Sequence, residues 1–198
     1  MSKILPKAFF EQSDVVFLAK DLLGKRLSTR IDGVTTSGFI TETEAYAGSG
    51  DKACHAHLGR FTERTKIMYE SGGIAYVYLC YGIHHLFNIV TNTQGNADAI
   101  LIRAIEPTHG IETMQERRGK SKTDKALSSG PGNLTKALGI TKTHNGINLN
   151  ENQIWIEDTG RKVSDVIETT RIGIDYAGED AKLPWRFYDN NSTFISVK

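Results

Sequence analysis

Gly38-Phe-Ile-Thr-Glu-Thr-Glu-Ala-Tyr46 decides how this chain is read. It begins as a strand and ends in carboxylates. Side chains alternate across a strand, so Glu42 and Glu44 share one face with Tyr46, while Thr41, Thr43 and Ala45 take the other. A charged sheet edge, blunted against aggregation, would explain two such acids. A carboxylate set for chemistry on a rigid element is the alternative. Upstream, Arg26 to Ile31 reads as a strand. Asp32-Gly33 is a two-residue hairpin signal that returns the chain along Val34 to Glu44.

The remaining elements are placed outward from this hairpin. Residues 1–12 read as a loosely structured lead-in. Ser13 caps a helix whose stripe is Val15, Leu18, Ala19 and Leu22, with Asp14 favourable in its first turn and Gly24 as its stop. Gly48 to Gly59 is an irregular loop long enough to suggest function. Thr62 caps a short helix through Tyr69. Ile74 to Leu79 and His84 to Thr91 form a second hairpin around Tyr81-Gly82. After a turn at Gln94-Gly95-Asn96, Ala99 to Ile105 is a buried strand. Pro107 is expected to open a helix to about Arg118, stopped by Gly119. A basic loop at 119–131, a helix Leu134–Leu138, a strand Gln153–Glu157, a short strand or turn Arg171–Ile174, and closing strands Trp185–Tyr188 and Thr193–Val197 complete the chain. Regular βαβ alternation is missing. The expectation is one α+β domain over residues 1–198: a curved, largely antiparallel β-sheet flanked by helices, with a protruding β-hairpin.

Composition narrows the function. The formal net charge of the 198 residues is +1, which announces no polyanion partner. Arg117, Arg118, Lys120, Lys122 and Lys125 face only Asp124; they read as a solvated helix end, or as a phosphate-contacting patch. No apolar run reaches the roughly 18 residues of a membrane span, and the start lacks an apolar signal core. The protein is therefore expected inside the cell, away from membranes, as a monomer. Cys54 and Cys80 form no C-x-x-C, so neither a disulfide nor a thiolate metal site is expected.

Three further groups carry chemistry. Tyr76 and Tyr78 share a face of the second hairpin, and Tyr81 stands at its tip. Core aromatics are common in strands, but a hairpin tip is a poor place to bury a ring; an aromatic there suits insertion between stacked bases. Arg103 lies in an apolar strand and needs an anionic partner, either Glu44 or a DNA phosphate. His55 and His57, beside Cys54, fit no strong zinc pattern. His55, in the loop after the acidic strand, suits contact with a bound base. Ser129-Gly-Pro-Gly-Asn133 is Gly-rich but is not a phosphate-binding P-loop, since no Gly-Lys-Ser/Thr follows.

Thr41-Glu-Thr-Glu-Ala-Tyr46, the tyrosine hairpin, Leu101-Ile-Arg-Ala-Ile-Glu-Pro107, Ser129-Gly-Pro-Gly-Asn-Leu134, Arg171-Ile-Gly-Ile174 and Pro184-Trp-Arg-Phe-Tyr188 resemble segments found in that order in the alkyladenine (3-methyladenine) DNA glycosylases. The resemblance spans roughly residues 8–198. It implies a mixed α/β domain without metal or cofactor that acts on double-stranded DNA containing damaged purines. It implies that Glu44 is the general base and Arg103 helps hold the attacking water, which the Ile172 carbonyl also touches. Tyr46, His55 and Tyr78 would enclose the flipped base beside the Ala53 backbone. Asn88 would screen out normal guanine, and Tyr81 would fill the gap left in the duplex. Two other readings stand beside it: a non-catalytic nucleic-acid-binding module, related in fold to formyltransferase C-terminal domains, and a small-molecule nucleoside hydrolase.

Overall fold

The computed structural model describes residues 2–150 and 152–198. Its centre is β3 (Val34–Tyr46), the strand that carries the two acids. The Asp32-Gly33 turn joins it to β2 (Arg26–Ile31), both turn residues taking the positive φ that such tight hairpins need. Along its other edge β3 pairs with β6 (Asp98–His109), which is followed by β5 (His84–Thr91) and β4 (Ala75–Cys80). Beyond β2 lie β7 (Ile154–Asp158) and β1 (Lys3–Ile4). Past the end of β2, Glu42–Glu44 pair instead with β9 (Arg186–Asp189), which pairs with β8 (Val166–Thr169). All described pairings are antiparallel. The fold is α+β with a largely antiparallel sheet.

The two faces of β3 differ as the alternation predicts. Thr43 donates to the Ala19 carbonyl of α2 (Val15–Asp21), and Ala45 enters the apolar core with Leu18, Ile102 and Phe187. α3 (Ile111–Arg118), α4 (Lys125–Ser128) and α5 (Pro131–Leu138) contribute Met114, Leu127 and Leu134 to the same core. Glu42 and Glu44 point the other way: Glu42 meets Ser196, in the segment that follows β9, and Glu44 meets Ile172, in the loop that follows β8. The β3–β6 register slips on either side of Glu42, where neither Thr41 nor Arg103 has a ladder partner. Such bulges recur beside active sites because they re-aim side chains.

Several expected elements are corrected. Pro107 does not open a helix. It pairs with Gly38 at a third register slip, where a missing N–H is tolerated, and β6 continues to His109. Gly110, with φ of 68°, ends the strand and starts α3. The lead-in, apart from Met1, which lies outside the described residues, is built: Lys3 and Ile4 pair with β7, and α1 (Lys7–Phe10) buries Phe10. Asp14, not Ser13, caps α2, accepting the Phe17 N–H. Thr62 lies in a turn, and only Lys66–Tyr69 is helical, as a 3-10 turn. The basic loop contains α4, and α5 begins at Pro131, whose missing N–H suits a first helical position. Arg171–Ile174 is a bend. Thr193–Val197 forms no strand, because its backbone groups bond to side chains instead.

Candidate active site

Glu44 is fully buried. Its Oε1 accepts the Ile172 N–H at 2.8 Å and lies 3.2 Å from Arg103 Nη1; its Oε2 accepts the Tyr46 hydroxyl at 2.7 Å. Tyr46, Arg103 and Ile172 all line a cavity of about 500 Å³, within the usual range for ligand sites. The carboxylate therefore sits directly behind the cavity wall rather than on it. Burial, then the Glu44 charge, holds the Tyr46 phenol well above its ordinary pKa, so the tyrosine is a neutral donor. Burial pulls the Arg103 guanidinium down, but Glu44 and Glu42 outweigh it and raise its pKa. The anionic partner expected for Arg103 is thus both acids of β3.

The other wall is aromatic. Tyr76 and Tyr78 lie on one face of β4 with centroids 5.4 Å apart, and the His55 ring meets Tyr78 edge-on at 4.8 Å. Arg64 donates to His55 Nε2 at 3.1 Å and stacks over Tyr78 at 4.7 Å. Since arginine only donates, His55 Nε2 accepts, and Nδ1 carries the proton it gives to the Tyr76 hydroxyl at 2.9 Å. Burial first, then the Arg64 and Arg60 charges, lowers the His55 pKa to about 4. The ring is uncharged at neutral pH.

The loops that close the cavity are clamped together. Arg171 forks onto the Asp51 carboxylate and donates to the Ala45 and Asp180 carbonyls, with its guanidinium 4.8 Å from the Tyr46 ring and 5.2 Å from the Trp185 ring. This bidentate pair fixes Ile172 against Glu44 and, through Asp51, the Ala53 N–H. Asn88 is buried on β5; its side-chain amide donates to the Tyr76 carbonyl at 3.1 Å.

Tyr81 stands at the cavity rim and is 90% exposed, with φ of 51°. A bulky residue in the left-handed region is strained, and such strain collects at functional sites. The Ser129–Asn133 segment supports this hairpin from behind. Thr135 donates to the His85 carbonyl, and a Cβ on Gly132 would stand 2.8 Å from the His84 ring.

Every site residue named from the sequence thus contributes to the cavity or, for Glu44, to the layer directly behind it. Residues that sequence reasoning missed are Arg64, the Asp51–Arg171 clamp, and Glu42. The alternation did place Glu42 beside Glu44, and Arg171 opens one of the quoted motifs, but nothing paired it with Asp51 or marked Arg64. The basic patch divides: Arg117 and Arg118 are bonded to helix-end carbonyls of α5 and α4. Cys54 is a buried thiol, its pKa raised to about 12 by burial. Among the described residues, no three His, Cys, Asp or Glu side chains cluster to hold a metal, and no helix is long and apolar enough to cross a membrane.

By its similarity to known proteins, this chain is a DNA glycosylase acting on methylated purines. The model of the family described as methylpurine-DNA glycosylase (MPG) matches residues 8–193, and the chain belongs to that family. Among its relatives is a Chlamydia felis protein named "Putative 3-methyladenine DNA glycosylase", 51% identical over 189 residues, covering 94% of this chain and 96% of that one. Proteins of the same name from Clostridium tetani and Alkaliphilus oremlandii are 45% and 44% identical, each covering 98% of this chain and 99% of their own.

Proposed function

We propose that this glycosylase flips damaged purines out of duplex DNA and hydrolyses their N-glycosidic bond with a water activated by Glu44. The observation that carries the reading is the layering at Glu44. Its three partners, Tyr46, Arg103 and Ile172, are all cavity-lining residues, and Tyr81 stands at the rim of the same cavity. A flipped base fits between Tyr46 on one side and His55 and Tyr78 on the other. Flipping costs a few kcal/mol and least for a lesion that pairs badly; Tyr81 offsets part of it by filling the vacancy. As the base enters, the Tyr46 hydroxyl yields Glu44 Oε2 to water. Glu44 takes a proton from that water, its oxygen bonds to C1′, and the C1′–N bond electrons leave with the base. The Glu44 charge also stabilises the oxocarbenium-like transition state.

Substrates such as 3-methyladenine and 7-methylguanine leave readily because they are already cationic. Uncharged His55 and the two tyrosines present neutral π faces to them. Hypoxanthine and ethenoadenine are further substrates of the proposal and require protonation as they leave. Asn88 excludes guanine through its 2-amino group. Among the described residues no lysine lines the cavity, so the product is an abasic site without strand cleavage. We further propose that residues 1–198 work as one domain, as an intracellular monomer, without cofactor.

Family membership disposes of the non-catalytic binding module. One assay tests the rest: duplexes carrying single methylated, hypoxanthine or ethenoadenine lesions, and free nucleosides in parallel. Base released from duplex alone is the expected result. Release from free nucleosides at equal rate would make Tyr81 irrelevant and the protein a nucleoside hydrolase.

A further inference from the structure

Glu42 is a fully buried charge for which the proposed chemistry has no direct use. Its Oε1 accepts Arg103 Nε at 3.0 Å, Arg186 Nη1 at 2.8 Å and the Ser196 hydroxyl at 2.8 Å; its Oε2 accepts the Ser196 backbone N–H at 2.7 Å. Ser196 Oγ accepts in turn from Arg103 Nη2 at 3.2 Å. The segment around Ser196 has no regular structure, yet it is tied down at both ends. Thr41 donates to the Phe194 carbonyl at 2.6 Å, and Arg186 to the Val197 carbonyl at 2.8 Å.

Arg103 therefore spends Nε on Glu42 and Nη2 on Ser196, and turns Nη1 to Glu44. A guanidinium is a rigid planar fork, so fixing two of its nitrogens fixes the third. We propose that Glu42 and Ser196 are positioning residues for base excision: they aim Arg103 Nη1 at Glu44, and residues 194–197 form the support of the active site. The inference rests on the reading of Glu44 as the base.

A buried ion network could instead serve folding alone. Ser196 separates the two roles. Removing its hydroxyl leaves Glu42, Glu44, Arg103 and Arg186 in charge balance, so the network survives. What it loses is one of the two contacts that orient the Arg103 fork.

The test uses Ser196→Ala, Ser196→Thr and Glu44→Gln in the full chain, with single-turnover excision from a hypoxanthine duplex, affinity for that duplex, and Tm. Ser196→Ala is expected to slow excision by about tenfold, or about 1.4 kcal/mol of barrier, with affinity nearly unchanged and Tm lowered by only a few degrees, since two charge-assisted hydrogen bonds are lost while the ion pairs remain. Ser196→Thr, which keeps the hydroxyl, restores the rate. A wild-type rate in Ser196→Ala overturns the proposal. So does a loss of rate, affinity and Tm together that threonine does not rescue. Glu44→Gln is the control: excision at the wild-type rate there overturns the reading of Glu44 itself, whereas excision abolished there but intact in Ser196→Ala overturns only the positioning role.

Discussion

Replacing Glu44 by glutamine changes one oxygen and one charge in a packed site, and the geometry sets what each change does. The amide oxygen can keep the Ile172 N–H at 2.8 Å and the Arg103 contact at 3.2 Å, and the amide nitrogen can turn to the Tyr46 hydroxyl, which then accepts. Breaking a buried pair costs about 3–5 kcal/mol when a charge is left alone. Arg103 is not left alone, because Glu42 stays 3.0 Å from its Nε. The expected loss of stability is therefore smaller, about 1–2 kcal/mol, near that of one charge-assisted hydrogen bond. The chemical loss is larger. A general base contributes about 10²–10⁴-fold, and an anion facing an oxocarbenium-like centre adds to it, so excision should fall by at least about 10³-fold, or about 4 kcal/mol of barrier. Single-turnover base release from a lesion duplex measures the rate. Thermal melting and a gel-shift titration confirm that the variant folds and still holds lesion DNA. A folded, binding Glu44→Gln protein that excises within about tenfold of wild type would remove Glu44 as the base.

Two further outcomes follow from the wall and the rim. Tyr81→Asn should leave stability unchanged or raise it by up to about 1 kcal/mol, because asparagine tolerates the left-handed region; it should also weaken lesion flipping, read by ethenoadenine fluorescence in a duplex, and an unchanged flipping equilibrium would show that the tip is not a wedge. His55 titrates near 4 when folded against an ordinary 6.5, so the unfolded chain binds the proton more readily. Stability from this residue is complete above 6.5 and is lost as pH falls towards 4. Tm should decline across that window, less steeply in Arg64→Met, where part of the depression is removed, and the His55 contribution should vanish in His55→Gln. An identical slope in all three proteins would contradict the assignment.

Much of the site was legible because strands impose a period of two. That period put Glu42, Glu44 and Tyr46 on one face, and Tyr76 with Tyr78 on another. Asp32-Gly33 and Tyr81-Gly82 fixed the two hairpins. Residues joined only by the tertiary fold were not legible. Asp51 and Arg171 meet across two loops, Arg64 reaches His55 from a turn, and Ser196 finds Glu42 from an irregular segment. None of these carries a periodic signal. Pro107 misled for a related reason: proline ahead of a stretch that ends at glycine reads as a helix start, yet the slip opposite Gly38 gave it a place in a strand. The lead-in lacked a strong pattern of its own because β1 is two residues long and gains its partner from β7, far along the chain.

A crystal structure of Glu44→Gln bound to a duplex with one ethenoadenine shows where a damaged nucleotide goes. The base is expected between Tyr46 and the His55–Tyr78 pair, Tyr81 in the vacated stack, and C1′ one water molecule from residue 44, with about 3–3.5 Å on each side of that water. A lesion still stacked in the helix, or a sugar held away from residue 44, would contradict this placement.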